Sequence, residues 1–172
     1  SLALNFAPNP YAALEIVFWL LGSLSDRSFD HVGLALPFVL IGIGLIASAS
    51  RALDALTLGE DAATSLGCDP ISVKARVVLG TGLAVGASVA VTGMISFVGL
   101  VVPHLLRPLT GHTPGRLLWP SALGGAALLT AADLGVRALS FGTELRVGVL
   151  TALVGAPFFL WLILRNRRNG PL

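Results

Sequence analysis

Charge is missing from this sequence in long runs. No Asp, Glu, Lys or Arg occurs at 31–50 (20 residues), 77–106 (30 residues), 117–132 (16 residues) or 147–164 (18 residues). A helix crossing a bilayer needs roughly 20 mainly apolar residues, and its backbone polar groups must be satisfied inside the protein because lipid offers no partners. The intervals therefore dictate an all-α, polytopic transmembrane helix bundle. Three of them fit one span each, the 117–132 run continuing past Asp133 towards Leu139. Composition agrees, since 12% of residues are charged and 55% hydrophobic, against about 25% charged in soluble domains. That excludes a disordered chain and a nucleic-acid partner, both of which need far more charge. A single cysteine, Cys68, excludes a disulfide framework and a cysteine-ligated zinc site.

The 30-residue interval does not fit one span. As a straight helix it would reach about 45 Å, too long for one crossing and too short for two. Gly93, Gly99 and Pro103 lie in its middle. The pattern predicts a full helix near 73–96, a break, and a short helix near 100–109 with His104 at its start. Arg165, Arg167 and Arg168 in the tail, and Arg51, Lys74 and Arg76 in the 51–76 connection, place both of these on the cytoplasmic side. With 117–139 and 145–164 forming an out-and-back pair, parity requires 97–112 to return to the cytoplasmic side. Such a short, broken crossing is tolerable only where protein surrounds the backbone. Segment 10–22, which starts at Pro10 and carries Glu15, reads as an interfacial amphipathic helix.

The longest polar connection, 51–72, is itself amphipathic. Leu53, Leu56, Leu58, Ala62, Ala63 and Leu66 interleave with Asp54, Glu60 and Asp61, punctuated by Gly59 and Gly67 and closed by Pro70. Two short helices, 52–58 and 60–66, are expected on the cytoplasmic face. They are either a plain interfacial loop or a socket for a cytoplasmic partner, since amphipathic faces commonly seat in grooves.

No catalytic pattern is present. The sequence has no phosphate-cradling G-x-x-x-x-G-K-[ST], no H-E-x-x-H and no G-x-S-x-G. His31, His104 and His112 are far apart, with no carboxylate at ligand spacing, and His104 reads as a structural histidine at the helix break. No catalytic, cofactor or metal residue is assigned. Gly82 and Gly86, with Ala90 and Gly93 beyond, give helix 73–96 a small-residue seam for close helix contact. Asp133 and Arg137 stand four apart, acid first, the favourable order for an intrahelical ion pair. Charges beside a span are expensive and usually have a task. The pair either neutralises itself at the outer helix end or, with Glu144 and Arg146, offers an external docking point.

Beyond these patterns, one run carries a resemblance. Gly93-Met94-Ile95-Ser96-Phe97-Val98-Gly99-Leu100-Val101-Val102-Pro103-His104-Leu105-Leu106-Arg107 resembles the signature G-x-I-x-F-[VI]-G-L-[VI]-[VI]-P-H-[IL]-x-R of the FecCD-type permeases of ATP-binding cassette importers. Further segments match in order: 120–126, Ala132-Asp133 with Arg137, Glu144-Leu145, Val147-Gly148-Val149 and 151–159. Upstream, Trp19-Leu20-Leu21-Gly22-Ser23-Leu24 and Leu56-Thr57-Leu58-Gly59-Glu60, with Ala63 and Leu66-Gly67, are similar to family segments, the second to its cytoplasmic coupling loop.

The resemblance implies import of an iron–siderophore, haem or vitamin B12 across the bacterial inner membrane. It implies a dimer with its path at the subunit interface, cytoplasmic ATPase subunits docked on the coupling helices, and a periplasmic binding protein outside. The chain itself would then be no enzyme. Arg137 occupies a position where family arginines pair with glutamates of the binding protein. Members are about twice this length with ten spans, so 1–172 is expected to be one transmembrane permease domain covering the C-terminal half. The single methionine, Met94, and the apolar start at 2–6 fit the interior of a longer polypeptide. Two departures stand out: Arg146 replaces the usual proline after Glu-Leu, and His112-Thr113-Pro114-Gly115-Arg116 loosens the usual acid-His-Arg. From the residues alone, an ion-coupled secondary transporter is the alternative, and Asp133 would be its charged ligand within a span. A membrane enzyme is the third option.

Overall fold

Three of the helices begin where local chemistry releases the chain from needing its first N–H groups. A computed structural model describes residues 10–25, 27–111, 113–139 and 147–168. Helix α1 runs Pro10–Leu21, with proline in the first turn, where its missing N–H costs nothing. Helix α2, Phe29–Ser48, follows Ser28, whose N–H donates to His31 Nδ1 at 3.3 Å, so His31 has a structural task at a helix start. Helices α3 (Ser50–Leu56) and α4 (Glu60–Ser65) are short. Helix α5, Pro70–Thr92, is capped by Asp69, which accepts from Ile71 N–H at 3.1 Å and Ser72 N–H at 3.3 Å. Helix α6 is Val98–Leu106, continued by a 3-10 turn at Arg107–Thr110. Helices α7 (Pro114–Leu139) and α8 (Val147–Arg168) complete the described chain.

Helices α2, α5 and α7 are long and apolar enough to cross a membrane. The apolar stretches Val98–Thr110 and Val147–Leu162 are shorter. The broken helix is where the sequence places it, but the break lies a few residues earlier than Gly99 and Pro103. Helix α5 ends at Thr92 and α6 starts at Val98, with positive φ at Gly93 (+71°) and Phe97 (+70°). Gly99 and Pro103 lie inside α6, and His104 is in its last turn rather than at its start.

The described chain divides into two compact units. One gathers α1, residues 92–102, α7 from 125 onward and α8; the other gathers α2 to α4, most of α5, and 103–124. In the second unit α2 and α5 touch backbone to backbone. A Cβ on Gly42 would stand 2.5 Å from the Gly80 carbonyl oxygen, and one on Gly80 would stand 2.7 Å from the Gly42 oxygen. Within this chain the close contact with α2 is made at Gly80, and Gly82 and Gly86, where the small-residue seam is expected, do not take part in it. Both expected glycines are exposed, and an added Cβ would meet nothing within 4 Å there. Two residues along a helix turn the side chain by about 200°, so Gly82 points away from the contact that Gly80 makes.

Few side chains are covered by the chain itself. Among the described residues the buried apolar ones are Ala49, Ala63, Val73, Val102, Val136 and Val147. Large apolar groups such as Leu34, Val78, Leu123 and Leu153 are mostly exposed, as expected of surfaces that meet lipid or other protein rather than water.

Gly80→Ala is expected to lower the thermal stability of the detergent-solubilised protein by the equivalent of about 1–3 kcal/mol, the usual cost of overpacking. Gly82→Ala should leave stability unchanged or slightly raised, because alanine is the better helix former.

Candidate functional site

The segment expected to meet a cytoplasmic partner, 51–72, lies within the second unit. Leu56 ends α3 half-buried, Gly59 precedes α4, and Glu60 is its first residue. Gly59 has φ +103° and ψ +156°, a combination essentially restricted to glycine. Nothing lies within 4 Å of a Cβ placed there, so conformation and not space requires the glycine. Gly67 closes α4: its N–H donates to Thr64 O at 2.9 Å, while Cys68 N–H donates to Ala63 O at 3.0 Å. This is the paired pattern of a Schellman cap. Ala63 is fully buried and anchors α4. In contrast, Leu58 before α4 and Leu66 and Ile71 after it are 69%, 66% and 78% exposed, large apolar side chains that the chain leaves uncovered.

Two polar ties hold this segment to longer helices. Lys74 Nζ of α5 meets Glu60 Oε1 at 2.6 Å, with both side chains largely exposed. Asp54 Oδ1 of α3 accepts the N–H of Gly115, at the start of α7, at 2.6 Å. Helices α5 and α7 therefore both begin beside the short helices α3 and α4. Asp54 and Gly115 were legible only as an interleaved charge and a loosened motif, because nothing local links positions 61 residues apart.

The break is secured within the first unit. Met94 N–H donates to Trp19 O at 3.1 Å, Ser23 N–H to Thr92 O at 2.8 Å, and Gly148 N–H to Gly22 O at 3.3 Å. Glycines make this possible. A Cβ on Gly93 would come within 2.5 Å of Trp19 O, one on Gly22 within 2.5 Å of Met94 O, and one on Gly148 would collide with Leu21 O. Phe97 then turns into α6 and packs its ring on Gly155 of α8. It lines an apolar cavity of about 280 Å³ with Val101, Leu128, Leu150, Thr151 and Val154. The sequence flags Gly22 and Gly148 as motif members; their shared contact with the break emerges only in three dimensions.

Near the end of α7, Arg137 Nε donates to Asp133 Oδ2 at 2.7 Å, the ion pair expected from the spacing. The Asp133 side chain is 18% exposed and that of Arg137 is 62% exposed. Asp133 Oδ1 is buried without a hydrogen-bond partner among the described residues. Glu144 and Arg146 lie outside the described residues. Among the described residues no group of three or more His, Cys, Asp or Glu is placed to hold a metal ion.

Two short paired helices, a backbone-stitched break and an ion pair near the end of α7 follow one another along the chain, and a model of the FecCD transport family matches residues 1–165. The chain belongs to the FecCD transport family. Among its relatives, it is 44% identical over 159 residues to the Fe(3+) dicitrate transport system permease protein FecD of Escherichia coli, covering 92% of this chain and 50% of that protein. It is 43% identical over 170 residues to the hemin transport system permease protein HmuU of Yersinia pestis, covering 96% and 50%. It is 47% identical over 153 residues to the vitamin B12 import system permease protein BtuC of Vibrio cholerae, covering 88% and 46%. The FecCD chain thus spans about half the length of the curated relatives it matches. Its fold is similar to a solved structure described as an inward-facing conformation of a metal-chelate type ABC transporter. The TM-score is 0.81 at 32% identity, covering 95% of this chain and 53% of the other.

The Asp69 cap of this FecCD chain predicts a pH dependence. Hydrogen bonds from the Ser72 hydroxyl first, and from the Ile71 N–H second, hold the Asp69 carboxyl below its ordinary value. A depressed carboxylate contributes stability above its unfolded pKa of about 3.9, and the contribution is lost as pH falls through the lower folded value. Asp69→Ala should therefore lower the melting temperature at pH 7 more than at pH 3, as read by thermal unfolding at both values.

Proposed function

We propose that this chain forms part of the membrane permease of an ATP-binding cassette importer in the bacterial inner membrane, moving an iron chelate, haem or vitamin B12 inward. The coupling segment carries the reading. Two short helices joined at Gly59 leave Leu58, Leu66 and Ile71 exposed, apolar groups suited to the groove of a cytoplasmic ATPase subunit. Family membership supports the same assignment, and the three relatives named for ferric dicitrate, hemin and vitamin B12 support the cargo class. An iron chelate of the siderophore type is the favoured cargo. ATP hydrolysis belongs to the partner subunits; no bond is made or broken in this chain.

In this mechanism a second permease subunit covers part of the apolar surface left open here, and the path lies between the two. Closure of the ATPase subunits pushes on α3 and α4, and the spanning helices tilt in response. A periplasmic binding protein delivers the cargo at the outer face. Arg137 helps to seat it, since its largely exposed guanidinium remains available to a carboxylate, with Glu144 and Arg146 contributing nearby.

Within the full-length protein, Arg137→Glu is expected to weaken docking of the loaded binding protein by about tenfold or more, because reversal sets like charges face to face. Unchanged affinity in a surface-binding assay would remove Arg137 from the docking face. Gly59→Leu should leave ATP hydrolysis running while uptake into vesicles falls, because a side chain with L handedness strains the joint. Copurification of the full-length permease without any ATPase would favour an ion-coupled secondary transporter instead.

A further inference from the structure

The two coupling helices are held differently. Helix α4 is tied to α5 by Glu60 and Lys74, whose side chains are 64% and 60% exposed. An exposed ion pair of this kind contributes little and is screened by salt. Helix α3 is tied to α7 by Asp54, a half-buried carboxylate accepting a backbone N–H at 2.6 Å. Hydrogen bonds to a charged acceptor are short and roughly twice as strong as neutral ones.

Its position on α7 is that of an N-cap supplied from elsewhere in the chain. Gly115 is the second residue of α7, and the N–H there ordinarily bonds the side chain of the residue just before the helix. That residue is Thr113, whose hydroxyl instead donates to Thr110 O at 2.8 Å. Asp54 supplies the acceptor oxygen from α3. Its negative charge also sits against the positive end of the helix dipole. The fit is close on both sides: a Cβ on Gly115 would stand 2.5 Å from Asp54 Oδ2 and 2.8 Å from Ser50 O. Residue 115 is therefore a glycine because α3 lies directly against the start of α7.

We propose that Asp54 is the positioning residue through which the coupling segment grips α7, so that a push on α3 is delivered to the base of the helix whose far end carries Asp133 and Arg137. This inference rests on the importer reading above and names the residue that transmits the push. Asp54 touches no substrate and does no chemistry. It turns an interfacial helix and a spanning helix into one moving part, while the exposed Glu60–Lys74 pair adds little to the hold between α4 and α5.

The test uses the complete transporter, permease with ATPase subunits and binding protein, in lipid vesicles. The ratio of binding-protein-stimulated to basal ATP hydrolysis is measured for wild type, Asp54→Ala, Asp54→Asn and Glu60→Gln. Asp54→Ala should reduce the ratio about tenfold, the effect of losing one charge-assisted hydrogen bond. Asp54→Asn keeps a neutral acceptor of the same shape and should recover part of it, which a merely structural role would not produce. Glu60→Gln should change the ratio less than about twofold. A wild-type ratio in assembled Asp54→Ala, or equal losses in Asp54→Ala and Glu60→Gln, overturns the proposal.

Spin labels at Thr57 and Arg116, both exposed, in an otherwise unaltered chain give a reading that does not depend on the variants assembling. Their separation should stay fixed between nucleotide-free and ATP-trapped states, and a change of several ångströms overturns the linkage. If the wild-type complex shows no stimulation at all, the importer reading fails instead, and the labels still report whether α3 and α7 move together.

Discussion

A helix interrupted in apolar surroundings must give its freed backbone groups to other protein, since lipid has nothing to offer them. That requirement organises the residues around 93–97. The carbonyl of Thr92 and the N–H of Met94 bond to Ser23 and Trp19, and the chain beside them accepts from Gly148. Each contact demands that two backbones approach without a side chain between them, and so Gly22, Gly93 and Gly148 sit at the same place. The short helix α6 exists because this arrangement is satisfied. Without it, the 30-residue uncharged interval would have to be a single helix too long for the membrane.

Much of the fold was legible because charge is expensive in lipid and its absence is therefore conspicuous. The long apolar helices α2, α5 and α7, the break after α5 and the two short helices α3 and α4 follow from where charged and apolar residues alternate or fail to. The apolar stretch of α8 is shorter than a full span. The Asp133–Arg137 pair follows from helical spacing alone. What could not be read is which face of one helix meets which face of another. Gly82 and Gly86 form as good a small-residue spacing as any, yet Gly80, meeting Gly42, makes the contact. Likewise Pro103, the obvious breaker, is carried inside α6, and the turn is made by Gly93 and by Phe97, a residue whose type gives no hint of positive φ.

The polar contacts divide along the same line. Those within one turn or one helix, such as Asp69 with Ser72 or Arg137 with Asp133, belong to local spacing. A contact that connects elements far apart in sequence, Asp54 with Gly115, has no local trace. In a chain with so few charges, a carboxylate that bonds a distant backbone N–H tells more about the architecture than a surface ion pair does, because it fixes two elements in one register.

Glycine is usually valued here for smallness, as it is at Gly42, Gly80, Gly115 and Gly148. Gly59 is different, since the space around it is open and only its backbone angles are unusual. A residue of D configuration would be at ease at those angles, whereas an L residue of any size would not. What the joint between α3 and α4 demands is the lack of handedness, and of the twenty encoded residues only glycine has none.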